Sequence, residues 1–145
     1  MIYKEVFQDL FTVDKSYCFA HCISADFALG AGIAREFRKA GTAKELEDHY
    51  PKDFWQGRGY VLKTFSPRTT YNLVTKGKYY GKPTYDTIKE ALNGLRAAMA
   101  SDGQTKVAMP LIGCGLDRLE WDKVKTIIAQ TFNDTDIEVL VCKLK

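Results

Sequence analysis

The sequence lacks several features that would indicate particular classes of protein. It has no apolar run near the roughly 18 residues that a membrane-spanning helix needs. It has two histidines, and its four cysteines form no C-x-x-C pair of the kind found in zinc or redox sites. The net charge of +3 is too small to indicate a dedicated nucleic-acid binder. The first residues lack the apolar core of a signal peptide. We therefore expect a cytoplasmic protein (or a nuclear one in a eukaryote) without membrane, metal or cofactor.

The cysteines have two different settings. Cys18, Cys22 and Cys142 lie in apolar, strand-like runs, where we expect reduced thiols that pack as small hydrophobic side chains. Cys114 lies between two glycines, and no histidine is near it in sequence to activate it. We therefore interpret all four as structural.

The composition and the periodicity predict one α/β domain over residues 1–145. The hydrophobic fraction is 46% and the aromatic fraction 12%, as in a chain with a substantial core. Alternating or continuous apolar runs predict strands, and 3.6-residue spacing predicts helices. The predicted strands cover 2–7, 17–23, 60–64, 71–75, 107–109 and 136–144, and the helices 33–39, 42–50, about 84–100 and 121–132. This order indicates an α/β/α layered domain with a mixed, largely parallel sheet, in which ligands bind at the carboxyl ends of the strands.

Two glycine-containing loops follow predicted strands. One is Gly113-Cys114-Gly115, which leads to Asp117 just before a helix, and the other runs from Ser24 to Gly32. Backbone N–H groups in such loops bind phosphate, although a single G-x-G is equally often a tight turn. Two such loops together indicate a ligand with two phosphates. A carboxylate is poorly placed to bind phosphate, so we expect another role for Asp117.

Two further segments carry candidate chemistry. Residues 75–82 form a basic, aromatic loop, which is either a solvated surface or the source of a lysine that acts as nucleophile or electrostatic partner. A carboxylate beside such a lysine could exchange a proton with it. Asp9 follows the first strand and is either a turn residue or an acceptor for an exocyclic amine such as that of adenine.

Four segments together resemble a macrodomain. They are Gln8-Asp9-Leu10-Phe11, the run from His21 to Asp26, Gly30-Ala31-Gly32-Ile33, and the run from Pro110 to Trp121. Within the last of these, the run from Ile112 to Trp121 is specific to the branch of the terminal ADP-ribose protein glycohydrolase, and the resemblance extends over almost the whole chain. It implies a three-layer α/β/α macrodomain.

The resemblance also implies an ADP-ribose pocket. It assigns to the adenosine end Asp9, Leu10 and Leu144. The loop along the diphosphate and the distal ribose is assigned four residues, which are Ser24, Gly30, Gly32 and Ile33. We also count Asp26 among the ligand-binding residues. It assigns to the second phosphate loop Leu111, Ile112, Gly113, Cys114, Gly115 and Leu116.

The resemblance assigns the chemistry to two residues. Lys76 matches the catalytic lysine of that branch, because it follows a threonine at a strand end and precedes a Lys-Pro-Thr-Tyr run, and Asp117 matches the acid/base. Lys78 is a rival, since Gly77 could let the loop shift. The branch releases ADP-ribose from glutamate or aspartate esters through a covalent lysine adduct.

Other activities remain open at this point. The domain could bind ADP-ribose without turnover, although a pure binding module needs neither Lys76 nor Asp117. The same fold also acts on ADP-ribosylated nucleic acid, O-acetyl-ADP-ribose (as a deacetylase) and ADP-ribose-1″-phosphate. We expect a monomer whose partners are ADP-ribose and ADP-ribosylated protein, with modified nucleic acid as the alternative.

Overall fold

The computed structural model describes residues 1–115 and 117–144. Its strands are β1 Ile2–Phe7, β2 Cys18–Ser24, β3 Tyr60–Thr64, β4 Thr70–Lys76, β5 Lys106–Met109 and β6 Glu138–Lys143. Its helices are α1 Gly32–Lys39, α2 Thr42–His49, α3 Tyr85–Asp102 and α4 Trp121–Phe132. A short 3-10 turn, Leu10–Thr12, follows β1. The α/β pattern predicted from the sequence is therefore confirmed, with boundaries that differ by one or two residues.

The six strands form one sheet in the order β1-β6-β5-β2-β4-β3. The first five are parallel to their neighbours, and β3 is antiparallel to β4. The sheet is thus mixed and largely parallel, as predicted. All five parallel strands end at the same edge. Chain connections leave β2 and β5 in opposite directions across the sheet, which is the arrangement that opens a crevice at the carboxyl ends of an α/β sheet.

Helices cover both faces of the sheet. The apolar face of α3, with Ile88, Leu92, Leu95 and Met99, is fully buried and packs with the α4 residues on one side of the strands. On the other side, α1 and α2 bury Phe37 and Leu46. None of the described helices is long and apolar enough to cross a membrane.

The start of α2 differs from what its sequence predicts. Thr42 with Glu45 three residues later predicts a capping box with Thr42 as the N-cap, but the cap is Gly41, whose φ of 105° favours glycine. The Thr42 hydroxyl instead donates to the carbonyl of Ser66 at 2.8 Å, and the Glu45 carboxylate accepts from the Ser66 amide at 2.8 Å. Both side chains fasten α2 to the β3–β4 turn, so neither closes a capping box.

A buried histidine lies in the middle of β2. His21 is fully buried, its ring stacks on Phe37 with 3.7 Å between centroids, and its Nε2 is 2.6 Å from Asn72 Oδ1. Its Nδ1 has no hydrogen-bond partner among the described residues. Burial lowers the pKa of His21 from 6.5 to about 4, although the bond to Asn72 opposes the shift. The ring is therefore neutral at physiological pH, and it packs the central strand of the sheet.

Acidification should destabilise the fold through His21. In the unfolded chain the His21 ring binds a proton near pH 6.5, but in the folded chain it does so only near pH 4. The contribution of His21 to the free energy of unfolding is therefore fully present above pH 6.5 and is lost as the pH falls from 6.5 to 4. Between pH 7 and pH 5 the loss from this group is about 2 kcal/mol. Urea unfolding at a series of pH values measures it.

The His21→Gln variant should lose this pH dependence, whereas His49→Gln, which changes an exposed histidine, should retain it. Nuclear magnetic resonance of the unmodified protein gives a second measurement that does not need a folded variant. A His21 ring signal that titrates fully between pH 7 and pH 6 would contradict the prediction.

Candidate active site

The candidate residues meet at the carboxyl edge of the sheet. Asp9 and Leu10 follow β1, Ser24 ends β2, and Lys76 ends β4. The segment from Leu111 to Asp117 follows β5, and Leu144 follows β6. Segments far apart in the sequence are thus brought to one side of the molecule by the parallel strand order. Leu116, which the resemblance assigns to the second phosphate loop, lies outside the described residues.

The end of β1 and the end of β6 form one corner of this edge. Phe7 pairs with Lys143 in the sheet, so Leu144 lies beside the segment that begins at Asp9. The Asp9 carboxylate accepts a hydrogen bond from the Phe11 amide at 3.0 Å and caps the 3-10 turn, while Leu10 is buried. Leu144 is 78% exposed. Asp9 is therefore a turn residue in this structure, and its exposed position also leaves the carboxylate open to a ligand.

Asp26 organises the loop after β2. One of its oxygens accepts from the Ser24 hydroxyl at 2.5 Å and from the Ala28 amide at 3.2 Å, and the other accepts from the Tyr79 amide at 2.9 Å. Burial raises the pKa of Asp26, but these three hydrogen bonds outweigh it and hold the pKa below its usual range. The ionised carboxylate therefore joins the β2 loop to the loop after β4. Ser24, predicted as a ligand residue, uses its hydroxyl in the same network.

The β2 loop leads into an open helix start. Phe27 and Leu29 are buried with φ values of 58° and 41°, a conformation that side chains other than glycine rarely adopt. Gly30 and Gly32 are exposed, and no side chain caps the first turn of α1. Ile33, in that turn, is half-buried. The free N–H groups and the dipole of such a helix end attract an anion, so the predicted phosphate-binding role fits the geometry here.

The loop after β5 is tightly packed at one glycine and open at the other. Gly113 has φ 74°, and an added Cβ would lie 3.0 Å from the side chain of Leu119. At Gly115 an added Cβ would meet nothing within 4 Å, so its backbone faces open space. Leu111 is half-buried and Ile112 is buried beneath the loop. The segment is packed tightly on its core side and has an accessible peptide backbone at Gly115, and a phosphate-binding loop requires both.

Cys114 in the same loop has no sign of activation. Its thiol lies 3.3 Å from the Ile112 carbonyl, and burial raises its pKa to about 11. A thiol of this kind stays protonated at neutral pH, and the thiolate is the nucleophilic form. All four cysteines are free, and Cys18 and Cys142 are buried.

Lys76 and Asp117 form an ion pair across the end of β2. The Lys76 Nζ atom lies 2.7 Å from Asp117 Oδ1, and the two side chains are only 15% and 16% exposed. β5, which leads to Asp117, and β4, which carries Lys76, flank β2 on its two sides. The contact therefore spans the end of β2 and joins the chain at the end of β4 to the loop after β5. A mostly buried lysine and carboxylate at this distance can transfer a proton directly.

Lys78, the rival to Lys76, has a different partner. Its Nζ atom lies 2.8 Å from Asp53 Oδ1, and both side chains are about half exposed. The hydrogen bond to Asp53 raises the pKa of Lys78. The structure thus brings Lys76, and not Lys78, to Asp117.

Two features near the site were not predicted. The indole ring of Trp55 lies directly against Gly77, which follows Lys76. A cleft of about 440 Å³ opens between the Asp26–Ala28 segment and the helices α1 and α2, with Arg38, Lys52 and Tyr79 in its wall. The sequence contains no local pattern that would reveal either one. In the described residues no group of three or more histidine, cysteine or acidic side chains could hold a metal ion.

Comparison with known proteins supports the fold and the family. No protein-family model matches the chain. The chain is 41% identical over 137 residues to the human ADP-ribose glycohydrolase OARD1, an alignment that covers 94% of this chain and 88% of the human protein. Among solved structures it resembles the macrodomain of Thermus aquaticus DarG, with a TM-score of 0.78, 21% identity and 97% of both chains covered.

A second solved structure is Thermosipho africanus DarTG in complex with ADP-ribose, with a TM-score of 0.73 and 18% identity. The match covers 98% of this chain and 41% of that one. At 21% and 18% identity, the two structures establish only the fold. The group within this fold is assigned from the human relative, which is 41% identical. The chain therefore belongs to the macrodomain family, in the group that contains the ADP-ribose glycohydrolase OARD1.

Proposed function

We propose that this chain is an ADP-ribosyl hydrolase that releases ADP-ribose from glutamate or aspartate esters on proteins, with Lys76 as nucleophile and Asp117 as acid/base. The observation that carries the proposal is the 2.7 Å contact between Lys76 Nζ and Asp117 Oδ1. The contact lies between two loops suited to phosphate, and a module that only binds ADP-ribose needs neither side chain. The name and the 41% identity of the human relative support the same activity.

The ligand lies along the carboxyl edge of the sheet in this proposal. Adenine occupies the corner of Asp9, Leu10 and Leu144, and the diphosphate lies between the start of α1 and the loop at Gly115. The distal ribose then reaches Lys76 and Asp117. Oriented backbone N–H groups hold the phosphates without a cation, and this leaves the ion pair free for chemistry on the sugar.

The reaction proceeds by substitution at the anomeric carbon of the distal ribose. Asp117 takes a proton from the Lys76 ammonium, and the resulting amine forms a C–N bond to the anomeric carbon. The bond between that carbon and the ester oxygen breaks, and the substrate's carboxylate leaves with the electron pair. Asp117 then delivers this proton to the ring oxygen and takes one proton from the adduct nitrogen. The bond between the anomeric carbon and the ring oxygen breaks, and the sugar opens as a protonated imine on Lys76. Addition of water to the imine releases ADP-ribose and restores the lysine.

One observation favours a second substrate class. Tyr79 and Tyr80 follow Lys76 in the same loop, are 65% and 71% exposed, and lie edge to face with 5.2 Å between ring centroids. Exposed aromatic rings near a basic loop can stack on an unpaired nucleobase. ADP-ribosylated nucleic acid is therefore the alternative substrate, handled by the same Lys76 and Asp117.

The substrate class is tested by parallel turnover. We expect release of ADP-ribose from a protein modified on glutamate to exceed that from ADP-ribosylated single-stranded DNA, O-acetyl-ADP-ribose and ADP-ribose-1″-phosphate at equal concentrations. Preferred turnover of the DNA would favour the alternative, and the Tyr79→Ala/Tyr80→Ala variant would then lose that activity selectively. Calorimetric binding of ADP-ribose without turnover of any of the four would reduce the chain to a binding module.

Substitution of Lys76 should separate charge from nucleophilicity. Lys76→Arg keeps a cation beside Asp117 but provides no amine nucleophile, so we expect turnover to fall to the background rate while ADP-ribose binding stays within a few-fold. Lys78→Ala is the matched control from the same loop and should keep its turnover. Turnover that survives in Lys76→Arg and is lost in Lys78→Ala would transfer the role to Lys78.

Substitution of Asp117 should slow both formation of the imine and turnover. Because general acid–base assistance is worth roughly 10²–10⁴-fold, we expect Asp117→Asn to lose activity in that range. Reduction with borohydride during turnover of the unmodified protein should fix an ADP-ribosyl adduct on Lys76, which peptide mass spectrometry locates, and Asp117→Asn should accumulate less of it. The Lys76→Arg variant should give no adduct, and an adduct on another residue would contradict the mechanism.

A further inference from the structure

Gly77, the residue after Lys76, is in close contact with an aromatic ring. A Cβ added at Gly77 would lie 2.9 Å from Trp55 Cδ1, which is closer than real Cβ contacts come, and 3.2 Å from Trp55 Cγ, which is a tight contact. Gly77 is not among the glycines with a positive φ. The backbone conformation therefore does not require glycine here, but the close contact with the Trp55 indole does, because it leaves no room for a Cβ.

The Trp55 ring is itself held in place. It is half-buried and packs against the core on the α1/α2 side of the sheet, which includes Ile23 of β2 and Val74 of β4. Tyr60, at the start of β3, lies beside it with 6.5 Å between ring centroids. The indole is thus a rigid surface connected to the strands that carry the site, and the chain after Lys76 rests on it.

Asp53, two residues before Trp55, is also connected to the chain around Lys76, once directly and once through Ala25. The Asp53 carboxylate pairs with Lys78, and the Asp53 amide donates to the Ala25 carbonyl at 2.8 Å. The Ala25 amide in turn donates to the Lys76 carbonyl at 2.9 Å. Asp53 has a φ of 62°, an uncommon conformation for a residue other than glycine. Residues 53–55 therefore contact the chain after Lys76 directly, at Gly77 and Lys78, and reach the Lys76 carbonyl through Ala25.

We propose that Trp55 is a positioning residue, which fixes the course of the backbone at Gly77 and thereby keeps the Lys76 amine beside Asp117. The proposal rests on the role assigned to Lys76 under the proposed function. A lysine side chain has four rotatable bonds, and glycine is the most flexible residue that could follow it. The indole removes that freedom from outside the loop. Displacement of a reacting group by about 1 Å can cost on the order of 10²-fold in rate.

The test is a cycle of Gly77→Ala, Trp55→Ala and the double variant. The added methyl group of Gly77→Ala collides with the indole and displaces the loop, so we expect kcat to fall on the order of 10- to 100-fold. The KM and the calorimetric affinity for ADP-ribose should change less than kcat does, because Gly77 itself lies outside the two loops assigned to the phosphates. Trp55→Ala removes the support without a collision and should cost less. The double variant should recover to the level of Trp55→Ala, since the collision is gone.

Phe54→Ala is the matched control, because Phe54 neighbours Trp55 and its ring lies beside that of Tyr60, whereas the three atoms nearest to a Cβ at Gly77 all belong to Trp55. It should keep the unmodified kcat. A crystal structure of Gly77→Ala should show a Lys76 Nζ to Asp117 Oδ1 distance longer than 2.7 Å. If Trp55→Ala fails to fold, Trp55→Leu replaces it in the cycle.

The outcomes distinguish this proposal from the one on which it rests. If Lys76→Arg is inactive but Gly77→Ala retains its kcat, the positioning role is overturned and the mechanism stands. A double variant as slow as Gly77→Ala would also overturn it, because the collision would not be the cause. If Lys76→Arg remains fully active, the proposed mechanism fails. The Lys76–Asp117 distance in Gly77→Ala still decides whether Trp55 positions the lysine.

Discussion

The site depends on the ion pair between Lys76 and Asp117, which closes over the end of the central strand. The two residues lie 41 positions apart in the sequence, and they meet because β4 and β5 flank β2 on opposite sides. A second strand inserted between β4 and β5 would separate them by one further strand spacing of about 4.8 Å. The sheet topology is therefore the first determinant of the chemistry, and the loops refine a distance that the strand order already makes short.

The loops around this pair are held by interactions that use no catalytic atoms. Asp26 is ionised and fully engaged by hydrogen bonds from Ser24, Ala28 and Tyr79, so it joins the β2 loop to the lysine loop. Gly113 is packed from below, while Gly115 stays open. The two glycines thus meet two different requirements of a phosphate-binding loop. The backbone must be rigid enough to present N–H groups in a fixed direction, and it must remain accessible to the ligand.

Much of the fold was predictable because its signals are local. Apolar periodicity located every strand and helix, and glycine after a strand located both loops. The contact between Lys76 and Asp117 had no such signal from the residues alone, since it arises from strand order and only the resemblance to a macrodomain connected the two. The fastening role of Asp26 was missed because its partner Tyr79 is 53 residues away and offers a backbone amide, which no side-chain pattern reveals. Thr42 was misread as a cap because its hydroxyl has a tertiary partner at Ser66, and tertiary contacts override local capping rules.

The support that we propose for Lys76 comes from outside its own loop. In the proposed mechanism Lys76 must release its proton to Asp117 and then move onto the sugar, so further direct contacts that lock its side chain would oppose the reaction. The position of Lys76 therefore has to be fixed through its backbone, at the next residue, Gly77. Gly77 allows an aromatic ring to approach the main chain closely, and Trp55, anchored in the core on the α1/α2 side, provides that ring. Glycine thus serves here as the point where a rigid element restrains the chain, although glycine is otherwise the residue that makes a loop mobile.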